Sequence, residues 1–382
     1  MRYAARVRPR AICACAIAAA LGLAGCGTTG ATGVNVTGKT LTIYASQPPG
    51  TTGGQAAVDV IDAERLAFTQ AGGKVGTFAL KFDVLHAQEL SEHARQAIQD
   101  QTAIASLGEI EPGTSQISVQ ITNQLDLLQV SPTDTAIYLT QSTPAVSGAP
   151  SKYYPSSSSY HQTFARVVPT TAQEAQAIVS KMQALHASSV YIESDGSPYG
   201  ASVAAEVRSD APSHGLTIAS SAAGAGAVFY GSNSAVAAAT ALKQAAAAGS
   251  AKLFVPSALY DSSFVAGLGS SVAGRLYVST PGFAPSQVPA SASSFVSAFQ
   301  SSYGHAPAPE AIFGYEAMSS VLAVLREAGA GANQRATVVK DYLALKDRQS
   351  VLGTYSLHNG DTSLTQPFTF ARVRGGQLVA GS

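Results

Sequence analysis

The sequence predicts an α/β protein of two lobes, each built around a parallel sheet. Three observations predict it. From Thr40 onward, short apolar runs of strand type alternate with helical stretches of ten or more residues. The chain is 382 residues long, beyond the usual size of one domain. Hydrophobic residues make up 46% and charged residues only 12%, a composition that buries a core rather than staying disordered. Formal net charge is zero, so the basic excess of a nucleic-acid binder is missing, and no nucleic-acid partner is expected.

The N-terminal segment MRYAARVRPR carries Arg2, Arg6, Arg8 and Arg10 and no acid. The apolar run AICACAIAAALGLAG follows at 11–25. A basic segment before a short apolar one is the pattern of an export signal, and the run is too short for a spanning helix, which needs about 20 apolar residues. Leu23-Ala24-Gly25-Cys26 closes it and resembles the lipobox of bacterial lipoproteins. That resemblance implies a signal peptide over 1–25 and lipidation of the Cys26 thiol. Cys13 and Cys15 would leave with the signal, and the three cysteines of the chain would leave no free thiol in the mature protein. A thiol-free exported protein avoids unwanted oxidation and must be held by its core. Removal of 25 residues from 382 leaves 357, enough for two lobes.

Residues 26–39, small and polar, read as a flexible tether. LTIYAS (41–46) is the first strand and stops before Pro48-Pro49-Gly50. A helix follows with Ala57, Val60, Ile61, Ala67 and Phe68 on one face; Glu64 interrupts that face, and Gly72-Gly73 ends the helix. FALKFDVL (78–85), TAIASLG (102–108) and LLQVSP (127–132) are the next strands, with helices around 88–100 and from GTSQISVQITN. The rhythm resumes with a helical face of Ala175, Ile178, Val179, Met182 and Leu185, then SVYIES (189–194) and the helix SPYGASVAAEVRSDA. AGAVFYG (225–231), KLFVPS (252–257) and GRLYVST (274–280) are further strands. From about Leu352 short alternating runs carry turn signals at Asn359-Gly360 and Gly375-Gly376, the signature of a hairpin.

Five stretches in this order resemble the type I periplasmic binding proteins of the branched-chain amino-acid (Leu/Ile/Val-binding) kind, the lipoprotein receptors of ABC importers. They are QAAVDVIDAERLAFTQAGGKVG, VSPTDTAIYLT (130–140), FARVVPTTAQEAQAI (164–178), VYIESDGSPYGASVAAEV (190–207) and FVSAFQSSYGHAPAPEAIFGYEAMSSVLAVLREAG (295–329). The resemblance covers nearly all of 40–382. It implies two Rossmann-like lobes joined by three crossings, near 163–168, 278–284 and 350–354, with a ligand cleft between them. Residues 40–165 and 281–350 would form lobe 1, and 166–280 and 351–382 lobe 2. Independent physics agrees: open parallel sheets bind ligands at strand carboxyl ends, where helix N-termini favour anionic groups.

The resemblance also implies site residues. Thr114 and Ser115 precede a helix, where a serine would hold a ligand carboxylate; as residue types they also suit a plain N-cap. Thr133 would offer a backbone group and Thr135 a hydroxyl. Tyr199 would reach the cleft from lobe 2, with an apolar face and one donor. Where the family places a tyrosine and an acid for the ligand's ammonium, this chain has Asn233 and Ser257, and Asp261 lies four residues beyond. A buried ammonium without a carboxylate partner is costly, so the pocket departs from an amino-acid pocket.

No nucleophile elbow, S-x-x-K, H-E-x-x-H or Walker A pattern occurs, and the seven histidines lack metal-ligand spacing. No enzyme, cofactor or metal is expected. The reading is a monomeric extracytoplasmic binding protein, anchored to the membrane through Cys26, that closes its two lobes on a small polar ligand (an amino acid, an amide or similar) and delivers it to an ABC permease. The alternative is a ligand sensor or partner-binding envelope lipoprotein with no transport role.

Overall fold

The computed structural model describes residues 34–50, 53–154, 162–283, 288–365 and 368–381. The signal segment, Cys26 and the start of the tether lie outside the described residues.

Six strands form the first sheet: β1 (Thr40–Ser46), β2 (Lys74–Val75), β3 (Phe78–Leu85), β4 (Ala103–Leu107), β5 (Leu128–Ser131) and β6 (Phe164–Arg166), in the order β2-β3-β1-β4-β5-β6. All its pairings are parallel except β2 with β3. The second sheet contains β7 (Ser189–Ser194), β8 (Thr217–Ile218), β9 (Ala227–Gly231), β10 (Lys252–Val255) and β11 (Leu276–Pro281). After two small hairpins, β12 (Arg348–Ser350) with β13 (Gly353–Tyr355) and β14 (Leu357–His358) with β15 (Asp361–Thr362), the chain returns to this sheet as β16 (Phe368–Arg374) and β17 (Gln377–Ala380). The order is β17-β16-β11-β10-β9-β7-β8, with β16 and β17 antiparallel. The fold class read from the sequence is the one observed.

Eleven α-helices occur among the described residues: α1 (Gly54–Gln70), α2 (Leu90–Gln99), α3 (Ser115–Thr122), α4 (Thr171–Ala184), α5 (Pro198–Asp210), α6 (Ala235–Ala248), α7 (Ser262–Ala266), α8 (Ser270–Ala273), α9 (Ser293–Tyr303), α10 (Ala311–Ala328) and α11 (Arg335–Leu343). Their starts follow cap chemistry. Thr170 and Gln173 form a capping box on α4, Ser197 accepts from the Gly200 N–H with Pro198 in the first turn of α5, and Ser234 accepts from the Ala237 N–H on α6.

The first sheet packs against α1, α9, α10 and α11 in one apolar core that includes Ile43, Val60, Leu107, Phe299, Phe313 and Val321. Helices α1 and α10 approach closely because Gly314 has no side chain: a Cβ there would lie 2.3 Å from the Val60 carbonyl oxygen. Phe254 and Tyr277 of the second sheet, α4 and α5 share a core with Tyr138, Leu139, Tyr153 and Phe164. That core therefore runs continuously from the segment after β5 into the second half of the molecule.

Two boundaries differ from the sequence reading. Val34–Val36, expected within the tether, dock at the start of α11: the Val36 N–H donates to the Asn333 carbonyl at 2.7 Å, and Val36 is buried. The chain leaves the first half after Thr362 rather than at 350–354. Leu352, Tyr355 and Leu357 pack in the first core, and the Tyr355 hydroxyl donates to Glu316 on α10 at 2.8 Å. Alternation marked 351–362 as strand-like, but a period of two does not say which sheet a strand joins.

The two turn signals sit where expected. Asn359 and Gly360 both take positive φ, 51° and 83°, between β14 and β15; Gly375 and Gly376 do the same, 59° and 81°, between β16 and β17.

Candidate functional site

The carboxyl ends of β4 and β5 in the first half and of β7, β10 and β11 in the second converge. Two carboxylates that the sequence reading did not select, Asp134 and Glu174, organise this junction.

Asp134 lies in the turn after β5 and is completely buried. Its Oδ1 accepts from the Gly113 N–H at 2.7 Å and from the Ala136 N–H at 3.0 Å; its Oδ2 accepts from the Ser115 N–H at 2.9 Å. Gly113 and Ser115 flank the start of α3, so two N–H groups at that helix end are taken by a side chain of the same protein. The Asp134 N–H in turn donates to Ser131 Oγ at 2.8 Å, and Arg166 donates to the Asp134 carbonyl at 2.8 Å.

Glu174 lies in the first turn of α4 and is also completely buried. Its Oε1 accepts from the Ser257 N–H at 2.6 Å and from the Ser279 hydroxyl. Its Oε2 accepts from Thr135 Oγ1 at 3.2 Å and Tyr199 OH at 3.4 Å. Thr135 belongs to the first half, while the other three donors stand at the ends of β10 and β11 and the start of α5. One carboxylate thus ties four elements together. Burial raises its pKa, and the hydrogen bonds from Ser279, Ser257 and Thr135 oppose that shift.

The selected residues take these places. Ser115 is buried; its hydroxyl accepts from the Glu109 N–H at 3.1 Å. Thr114 precedes α3 without capping it and turns its hydroxyl to the Glu111 carbonyl at 2.5 Å. Thr133 is buried and donates to the Ile110 carbonyl. Thr135 and Tyr199 lie 3.5 Å apart through their hydroxyl oxygens. Tyr199 packs so closely on the β4 loop that a Cβ on Gly113 would be 2.9 Å from Tyr199 Cβ. Ser257 takes part through its backbone. Asn233 stands apart, exposed in the turn before α6. The structure thus brings Ser115, Thr133, Thr135, Tyr199 and Ser257 to one junction. Asn233 does not join it.

The junction is acidic. Burial pushes Glu109 and Glu111 up to about 7, with nearby Asp134 adding to both shifts and Asp261 to that of Glu111. Burial, then repulsion from Glu111, pushes Glu310 up to about 8. The Arg166 guanidinium pairs with Asp361 at 3.0 Å and donates to the Asp134 and Ala136 carbonyls, so its charge is already spent. Asp195 arranges the facing loops, accepting from Ser197 Oγ and Ser232 Oγ, both at 2.6 Å.

Signals for the two missed carboxylates were present. Asp134 sits between the two selected threonines, and Glu174 falls in the stretch 164–178 that carries the resemblance. Asp and Glu are ambiguous in a sequence, because only the fold shows which donors they meet. A cavity of about 730 Å³ lies elsewhere, lined by Tyr260, Phe283, Phe295, Val296, Ile312 and Leu378 among others. No group of three or more His, Cys, Asp or Glu is placed to hold a metal among the described residues.

Two sheets of mostly parallel strands, with their carboxyl ends converging, are the architecture of type I periplasmic binding proteins. The family model described as periplasmic binding protein matches residues 129–377, and the chain belongs to that family. A leucine-binding protein, LivK, of Thermotoga maritima superposes with a TM-score of 0.70 at 16% identity, over 90% of this chain and 98% of that one. An ABC transporter substrate-binding protein of Desulfitobacterium hafniense in complex with Leu gives 0.68 at 19% identity, over 89% and 99%. A solute-binding protein of R. palustris in complex with benzoate gives 0.64 at 16%, over 89% and 95%. No curated protein matches the chain in sequence.

Proposed function

We propose that this chain is the extracytoplasmic recognition component of an ABC transport system, a binding protein and not an enzyme. Membership of the periplasmic binding protein family across 129–377 carries the reading. The export pattern of residues 1–25 and the lipobox ending at Cys26 support an exported protein anchored by lipid at that cysteine. In this reading the protein is a monomer that holds a small ligand between two lobes and presents it to a permease. Ser115, Thr135, Tyr199 and Ser257 line the place where the lobes meet, with Glu174 at its centre. The test is co-purification: the full-length chain, tagged at its C-terminus in the organism that encodes it, brings down permease and ATPase subunits from solubilised membranes, and Cys26→Ser moves it from membrane to soluble fractions. A tagged chain that stays on the membrane but never carries transporter subunits overturns the transport role.

One observation favours a second reading, a sensor or partner-binding lipoprotein. The apolar core around Tyr138, Phe164 and Tyr199 crosses from one half to the other. Interfaces between lobes that open and close are ordinarily polar, whereas a large apolar one resists motion. Loss of transporter association together with capture of a different envelope partner selects that reading.

A further inference from the structure

We propose that this chain fills its own carboxylate seat with Asp134, so that α-amino acids and other small carboxylates are not its ligands. This deepens the proposed binding function by naming the ligand class: a compound that turns no carboxylate toward α3.

In an open α/β sheet, the anion-binding place at a strand's carboxyl end is the N-terminus of the next helix, where free N–H groups meet the positive end of the dipole. Here that place follows β4, at Gly113–Ser115. Both N–H groups already donate to Asp134, at 2.7 and 2.9 Å, and Asp134 is completely buried. A second carboxylate would find those two N–H groups taken and would face Asp134 directly. The ionisable groups that feel Asp134 are Glu109, Glu111, Tyr138, Tyr153 and Tyr199. Arg166, the nearby cation, is paired with Asp361 and two carbonyls. Bringing a carboxylate into such surroundings costs both desolvation and repulsion. Tyr199 adds bulk: it is completely buried against Gly113, with its hydroxyl between Thr135 and Glu174.

The experiment is chemical rescue. Asp134→Ala frees the Gly113 and Ser115 N–H groups and leaves a space the size of a carboxyl group. The variant is expected to melt below the wild type, and formate or acetate is expected to restore part of the loss with saturation. Formate and acetate leave the wild-type melting temperature unchanged relative to chloride at equal ionic strength. A folded Asp134→Ala protein that ignores formate overturns the seat. A saturable rise of the wild-type melting temperature with leucine or benzoate overturns the exclusion. Should Asp134→Ala fail to fold, hydrogen exchange on the wild type decides. The Gly113 and Ser115 amides are expected to be strongly protected in buffer alone and unaltered by millimolar leucine; fast exchange that leucine slows overturns the proposal. None of these outcomes depends on a transporter, so failure of the transport reading and failure of this one are separable.

Discussion

Glu64 lies on the face of α1 that is buried against the first core, where the apolar pattern is interrupted. Its side chain is 1% exposed, and neither carboxyl oxygen has a hydrogen-bond partner among the described residues. Burial raises its pKa well above the ordinary 4.5, and the neighbouring Arg65 offsets only part of that. An unpartnered buried polar group costs about 1–3 kcal/mol. Replacement by methionine, of similar length and without the charge, is therefore expected to stabilise the protein by about 1–3 kcal/mol at neutral pH. The sign of the pH dependence follows from the direction of the shift. The unfolded chain releases this proton as pH passes 4.5, whereas the folded protein keeps it to higher pH. Stability is therefore lost as pH rises from the unfolded value to the folded one, by up to about 1.4 kcal/mol per pH unit for one proton. The gain from Glu64→Met thus grows between pH 5 and pH 8. Urea midpoints read by far-UV circular dichroism measure it; the chain has no tryptophan, so its fluorescence comes from tyrosine. A gain that stays flat with pH, or a variant less stable than the wild type, refutes the reasoning.

Gly314→Ala places a Cβ 2.3 Å from the Val60 carbonyl oxygen, so α1 and α10 must separate; a loss of about 1–3 kcal/mol is expected in urea unfolding. Asp361→Ala leaves the buried Arg166 guanidinium without its carboxylate and also removes the acceptor for Thr140 and Gln141, both at 2.8 Å; about 3–5 kcal/mol is expected, read by calorimetry. Glu310→Gln removes a carboxyl pushed up to about 8, a shift that costs stability as pH rises above 4.5. The variant should therefore gain more melting temperature over the wild type at pH 8 than at pH 5, and an equal gain at both counts against the assignment.

Much of the architecture was legible because it is written many times over. Strand runs such as TIYAS and AVFYG alternate with helical faces, and each repeat of that alternation restates the fold class. The turns at Asn359-Gly360 and Gly375-Gly376 were legible for a local reason: positive φ at both central residues selects those types. The sheet to which 351–362 belongs was not legible. It depends on Tyr355 meeting Glu316, 39 positions earlier. At the candidate site, the hydroxyl residues were legible through the family resemblance of the stretches that carry them. Asp134 and Glu174 did not, because an acid becomes a structural acceptor only when remote N–H groups converge on it. Asn233 was placed by its order after β9, yet the chain turns it outward.

The same asymmetry explains how a family fold persists while its binding place changes. Ridge and core positions such as Val60, Gly314 and Phe313 act collectively, and the loss of one is spread over many contacts. The junction depends on single atoms. Seven donors converge on Asp134 and Glu174 from loops that the sheets hold in fixed register. One acid at position 134 closes the seat at α3 without moving any strand, since it satisfies the same N–H groups that a bound anion would. A binding protein can in this way alter what it accepts, at little cost to its scaffold, by supplying a ligand's polar groups from its own side chains. The burial of Tyr199 against Gly113 fits that account. With the polar groups internally paired, the remaining volume is filled by an apolar ring whose hydroxyl still finds Thr135 and Glu174.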